Sequence, residues 1–219
     1  MPDTIISFNY FDHDFSHETG DDQKTVMTTP LEIMPLIYML KELVVENNIS
    51  SVSLYGYALG AAEIIWTIDF LTKEDLGEME KKYNITMSDK RHIMDALRNG
   101  KILFDVPFKS LDEVINLQGL NKNLAMYKER MAMYKLLNPI DTLSKFKNLN
   151  MTFIVFFDIK NTEFSTREDS NFTKRLLDAN PTGTNVVIMT DNGGEFAHHK
   201  TLWKVYSSLE GLVIYQLLF

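Results

Sequence analysis

Chemistry in this chain concentrates in one ten-residue segment, Ser53-Leu54-Tyr55-Gly56-Tyr57-Ala58-Leu59-Gly60-Ala61-Ala62, where glycines at 56 and 60 bracket a single central position. An apolar, β-favouring run precedes the bracket and a helical pattern follows it, so it falls on a turn from strand to helix. Glycines flank such a turn when its central residue is held strained and exposed, where neighbouring side chains would collide; that placement suits a nucleophile. Here the central residue is Ala58, whose methyl group can neither lose a proton nor attack a carbonyl. A dinucleotide-binding loop is a weaker reading, because the third glycine of that fingerprint is missing and Leu59 would crowd a pyrophosphate. A purely structural turn is the remaining alternative.

Other candidates are scattered. His198 and His199 follow the last apolar strand, where an imidazole facing a cleft could move protons; an exposed pair at a helix start is the competing reading. Asp158 ends an apolar strand, the position at which open α/β sheets place functional groups, although strand-end aspartates also cap the next turn. Asp12-His13-Asp14 with His17, Glu18, Asp21 and Asp22 gathers donors suited to a divalent ion. With no regular structure to converge them, a solvated loop is the better reading, and no metal or other cofactor is expected.

These residues must be positioned by alternating elements. Ile5 to Tyr10 reads as a short strand, and the loop from Asp12 to Lys24 follows it. From Thr29, a cap, and Pro30, tolerated in a first turn, a helical pattern runs through Leu31, Met34, Ile37, Tyr38, Leu40, Val44 and Val45 to Asn47-Asn48. Strands are expected at Ser51–Tyr55, Lys101–Pro107, Met151–Phe157 and Asn185–Met189. Helices are expected over Leu59–Leu71 and, in two pieces broken near Asn84, over Glu74–Asn99, with Ser88 as cap of the second piece and Gly100 closing it. Leu120, Leu124, Tyr127, Met131 and Tyr134 fall along one helical face, which with Met126 and Met133 reads as core or cap packing, or as a lid over an apolar pocket. Trp66 and Trp203 read as core. Strands alternating with helices imply a mainly parallel sheet with right-handed crossovers. No repeat or linker divides residues 1–219, so a single domain is expected, with a helical insertion over roughly 73–148 that lends the sheet one strand near 101–106.

Composition narrows the partners. The formal charge of −8, from 22 basic and 30 acidic residues, repels phosphate backbones, so nucleic acid is excluded as a partner. The absence of cysteine removes thiolate nucleophiles and thiolate metal sites. No secretory leader and no apolar run of about 18 residues is evident, so the reading is cytoplasmic, without a membrane span, or exported by a route that leaves no simple mark. Oligomeric state is not legible.

The glycine-bracketed turn resembles the nucleophile elbow of the α/β-hydrolase superfamily, which includes serine esterases and peptidases, and other segments fall in that family's order from about residue 4 to 205. Val106-Pro107-Phe108-Lys109-Ser110-Leu111 is similar to the strand end that follows the elbow helix. Asn138-Pro139-Ile140-Asp141 leads to the Phe153 strand, after which the family places its acid, and Asp191 to His199 follows the next strand, where it places its histidine. The resemblance implies a helix-flanked, mainly parallel sheet with a helical cap. It gives Ala58 the nucleophile position, the Leu59 N–H an oxyanion-binding role, His198 (or His199) the part of base, and Asp158 that of acid, with Asn161 and Glu163 as positional alternatives. Three departures accompany it: Glu195 stands directly after the glycines where the family often has its histidine, the favoured acid spacing meets Asn161, and the segment that supplies a second oxyanion donor is not evident. The implied function is a non-catalytic member that keeps a cleft for a small-molecule or peptide ligand or a protein partner. The alternative is a serine hydrolase of ester or peptide bonds in an inactive Ser-to-Ala form.

Overall fold

Four buried side chains at helical spacing, Met34, Leu36, Ile37 and Leu40, mark the first helix of a computed structural model, which describes residue 6 and residues 33–57, 59–74, 77–105, 138–158 and 166–190. Helix α1 spans Met34–Lys41, with Pro35 in its first turn, where the missing N–H leaves no bond unmade. Thr29 and Pro30 lie outside the described residues, as do the Ile5 strand (Ile6 apart) and the Asp12 loop. Beyond Lys41 the helix widens into a π-type turn over Glu42–Glu46, with the Asn47 N–H reaching the Glu42 carbonyl at 3.0 Å. Asn48, at φ 56°, then takes the left-handed conformation that ends helices, and the Ile49 N–H closes on the Leu43 carbonyl at 3.0 Å.

The sheet has the order β1-β2-β3-β4, all parallel: β1 Leu54–Tyr57, β2 Ile102–Asp105, β3 Thr152–Asp158 and β4 Thr184–Thr190. β1 begins later than the run from Ser51 suggests. The preceding residues are tied elsewhere, the Ser51 hydroxyl to the Asn99 carbonyl at 3.1 Å and the Val52 N–H to the Ala96 carbonyl at 3.0 Å. Alternation gives the sheet two faces. Ile102, Phe104, Phe153 and Val155 join the main core with the helices, whereas Leu103, Ile154 and Phe156 form a second buried cluster with Val186 on the other face.

Helix α2 (Leu59–Thr72) follows β1 after one residue, and every residue from Ala61 to Ile68 is buried, so it is the inner helix of its layer. Helices α3 (Glu78–Lys82) and α4 (Met87–Asn99) come next, then, beyond β2, the short α5 (Pro139–Leu143), and α6 (Thr166–Ala179) between β3 and β4. α2 and α6 cover the same sheet face, as sequential parallel neighbours with crossovers of one hand require. The cap of α4 is Thr86 rather than Ser88. Thr86 is extended and its Oγ1 accepts the Asp89 N–H at 3.1 Å, while Asp89 accepts the Thr86 N–H at 2.9 Å, a reciprocal box that Ser88, already inside the helix, cannot form. Gly100 ends α4 as expected, since a Cβ there would run into the Val52 carbonyl.

Two buried tethers fix the ends of this framework. Lys90, 1% exposed, donates to Glu80 at 2.7 Å and to the Lys73 carbonyl at 3.2 Å, holding α3 on α4. Asn180, fully buried, accepts the Met151 N–H and donates to the Met151 carbonyl, both at 2.9 Å, joining the end of α6 to the start of β3. Trp66 is buried; Trp203 and the Leu120–Tyr134 face lie outside the described residues.

Candidate functional site

The carboxyl ends of the four strands point the same way, and there the chain must turn back toward the helix layer. At β1 it does so in one residue: the strand ends at Tyr57, α2 starts at Leu59, and position 58 lies between them, outside the described residues. Gly56 makes this corner sterically feasible. A Cβ there would stand 2.6 Å from the Ala61 nitrogen and 2.6 Å from the Gly60 carbonyl carbon, so the first turn of α2 rests directly on the glycine. Gly60 differs, with nothing within 4 Å of a Cβ added to it. The collision expected of both bracketing glycines therefore exists at 56 and not at 60.

Leu59 is the first residue of α2, where backbone N–H groups have no partner within the helix. Asp158 is the last residue of β3, in register with Thr190 of β4. Following the register from Tyr57 through Asp105 to Phe156, Asp158 lies two strands across from the corner, about 10 Å sideways, and two residues further along. Ala58, His198, His199, Asn161 and Glu163 lie outside the described residues, so the structure brings no complete triad into view.

One acidic residue at this end escaped the reading of the sequence. Asp105 ends β2, level with Tyr57 on one side and Phe156 on the other, and is 1% exposed. Its Oδ2 accepts the Tyr55 hydroxyl at 2.8 Å; its Oδ1 is buried with no hydrogen-bond partner. Burial pushes this carboxyl up to about 6, against the Tyr55 hydrogen bond, which favours the ionised form. The signal was in plain sight, since an acid closing an apolar strand is what singled out Asp158.

A cleft of about 520 Å³ opens at the opposite end of the sheet, lined by Asp95, Arg98, Thr152 and Thr184 among others. It borders the first residues of β3 and β4, whereas ligands of parallel sheets bind beyond the carboxyl ends. Among the described residues no group of three or more His, Asp or Glu side chains could hold a metal ion, and no helix is long and apolar enough to cross a membrane.

No family model matches the chain, and no curated protein matches it. Among solved structures it is similar to the esterase Pf2001 of Pyrococcus furiosus, with a TM-score of 0.50 and 15% identity, over 88% of this chain and 65% of that one. The fold is α/β-hydrolase-like. The chain spans just under two thirds of the esterase, and an identity of 15% carries the architecture alone. Within an α/β-hydrolase-like sheet, β1 is the strand that leads into the corner, and β2, β3 and β4 succeed it in sequence order without a crossover reversal.

Proposed function

We propose that this chain is an α/β-hydrolase-like protein without catalytic power of its own, whose cleft above the β1–α2 corner binds a small molecule, a peptide or a protein partner. The observation that carries this is the one-residue junction between Tyr57 and Leu59, seated on Gly56, with alanine as its central residue. A hydrolase needs an oxygen or sulfur nucleophile at that corner, and a methyl group offers no lone pair to a carbonyl carbon. The remaining groups would still suit binding: the Leu59 N–H as a donor to an anionic or carbonyl oxygen, and His198 with its acid as a polar wall.

The second reading is a serine hydrolase of ester or peptide bonds in an inactive Ser-to-Ala form, and the likeness to an esterase favours it. In that case a serine at 58 would attack the carbonyl carbon and pass its proton to His198, which would return it to the leaving group, with Asp158 orienting the imidazole. A fluorophosphonate probe separates the two. If Ala58→Ser becomes covalently labelled, and His198→Ala in that background abolishes the labelling, the machinery is complete and the non-catalytic reading fails. A folded, unlabelled serine form supports the binding role.

A further inference from the structure

An asparagine followed by glycine loses its side-chain ammonia more readily than before any other residue, because glycine has no side chain to shield the backbone nitrogen that attacks. The chain holds two such pairs, Asn99-Gly100 and Asn192-Gly193. The first stands on a junction that the fold depends on. Asn99 is the exposed last residue of α4; its Nδ2 donates to the Ser50 carbonyl at 3.0 Å and its carbonyl accepts the Ser51 hydroxyl at 3.1 Å, so it ties the helix end to the segment entering β1. Gly100 cannot give way to a bulkier, slower neighbour, since a Cβ there would run into the Val52 carbonyl. A labile pair is therefore kept where each member is needed for packing, the asparagine as a tether and the glycine for the close approach.

Two native bonds oppose the reaction. The Gly100 N–H, whose nitrogen is the nucleophile, is donated to the Leu97 carbonyl, and the leaving nitrogen, Nδ2, is engaged by Ser50. The first of these, at 3.3 Å, is long for such a bond, and helix ends open locally. We propose that Asn99 is a spontaneous modification site, deamidated from a locally opened end of α4, and that its products keep that end from closing as before. In the opened state the Gly100 nitrogen yields its proton to hydroxide and bonds to the Asn99 Cγ; the Cγ–Nδ2 bond breaks and ammonia leaves. Water then opens the cyclic imide, breaking the ring nitrogen's bond to Cγ to give aspartate, or its bond to the main-chain carbonyl carbon to give isoaspartate. One water is consumed and one ammonia released. Either product offers Ser50 an acceptor in place of a donor, and adds negative charge at a helix C-terminus, where the dipole disfavours it. It does so beside Asp95, in a cleft where Asp95 and Arg98 pair at 2.8 Å. Isoaspartate also lengthens the backbone just before Lys101, whose N–H donates to the Ser53 hydroxyl at 3.1 Å and whose carbonyl accepts the Leu54 N–H at 2.9 Å.

The test follows the full chain at neutral pH, in buffer and in unfolding urea, by peptide mass and by labelling with an isoaspartate-specific methyltransferase. The peptide containing Asn99 should gain the mass of an amide-to-acid conversion in both, at least about tenfold more slowly in the folded chain, because only an opened minority reacts. Ser51→Ala removes the bond to the Asn99 carbonyl without touching the reacting pair; it should raise the folded rate about threefold and leave the unfolded rate unchanged. Asn99→Gln, whose longer side chain cyclises far more slowly, should silence this peptide and leave the separately mapped Asn192 peptide as it was. No conversion at Asn99 in the folded chain after about a hundred unfolded-state half-lives overturns the site. Equal rates in buffer and urea, or a folded rate indifferent to Ser51→Ala, overturn the control by opening. Should Ser51→Ala fail to fold, the unaltered chain decides: folding should slow deamidation by the same factor as it slows hydrogen exchange at the Gly100 amide, and a mismatch ends the proposal. The converted protein, separated by its extra negative charge, should exchange the Gly100 and Lys101 amides faster than the unconverted one, and identical exchange removes the claim that the product holds the end open.

Discussion

At the scale of single residues, the two glycines of the corner make opposite demands although the sequence presents them as a pair. Gly56 is overlain by the backbone of Gly60 and Ala61, and backbone cannot swing aside as a flexible side chain can. Gly56→Ala should therefore cost about 2–3 kcal/mol, the range of an overpacked interior, whereas Gly60→Ala, in the first turn of α2 with open space around it, should be neutral or stabilise by roughly 0.5 kcal/mol. Urea-unfolding midpoints of the two variants check this; equal losses would mean that α2 does not rest on β1 as described. Glu80 makes a second demand. Burial pushes its carboxyl up, but the Lys90 ammonium at 2.7 Å and backbone N–H bonds outweigh that and hold it below its ordinary value of 4.5. A depressed folded value means stability that is complete above pH 4.5 and lost as pH falls through the folded midpoint. Glu80→Gln should accordingly cost about 3 kcal/mol at pH 7, because it removes the counter-charge of a Lys90 side chain that is only 1% exposed. That deficit should shrink below pH 4.5, where the wild-type chain also protonates; a deficit constant between pH 7 and pH 3 would show that packing rather than charge was lost.

Elements were legible in proportion to how much of their own cause they carry. β3 could be read because Thr152 to Phe157 is apolar almost throughout, and α2 because Ala61, Ile64, Ile65 and Ile68 keep helical spacing. α6 was missed. Its polar residues hide the three that matter, Phe172, Leu176 and Ala179, which share one face and are buried against the sheet while Leu177 stays exposed. The cap of α4 was misplaced by two residues for a different reason: both Thr86 and Ser88 can cap, and the choice fell to which had an acid three residues on, Asp89 for Thr86 and Arg91 for Ser88. Removing the cap should show in the element it starts. Thr86→Ala should cost about 1 kcal/mol, with Thr86→Ser restoring most of it, and Ser88→Ala should be nearly silent. Thermal unfolding of the three variants distinguishes them, and a larger loss at Ser88 than at Thr86 would contradict the capping box.

Across the described residues, the helices α2 and α6 lie on one face of the sheet and are joined to it by a few side chains that span the boundary. Sequence alone could foresee the parallel order, since strands separated by helices leave few alternatives, and it could foresee the corner, which is marked by glycine. It could not foresee Asp105. The worth of that residue lies in a register with Tyr57 and Phe156 and in an acceptor left empty, and both exist only once β1, β2 and β3 are aligned. Phe104, its neighbour in the chain, shows the same dependence from the opposite face. It is fully buried, stacked on Phe153 of β3 at 5.5 Å and edge-on to Phe172 of α6 at 5.8 Å, so a single ring couples β2 to the adjacent strand and to the helix beyond it. Phe104→Ala should cost about 3–5 kcal/mol, through the cavity and the two ring contacts together. Because the lost contacts belong to separate elements, α6 and the sheet should loosen together: backbone amides of α6 and of β3 should lose hydrogen-exchange protection by the same factor, while Phe104→Leu, which keeps most of the volume, should cost less than half as much. Loss of protection confined to α6, with β3 unchanged, would mean that the helix docks on the sheet independently of this ring and that the layers are not one cooperative unit.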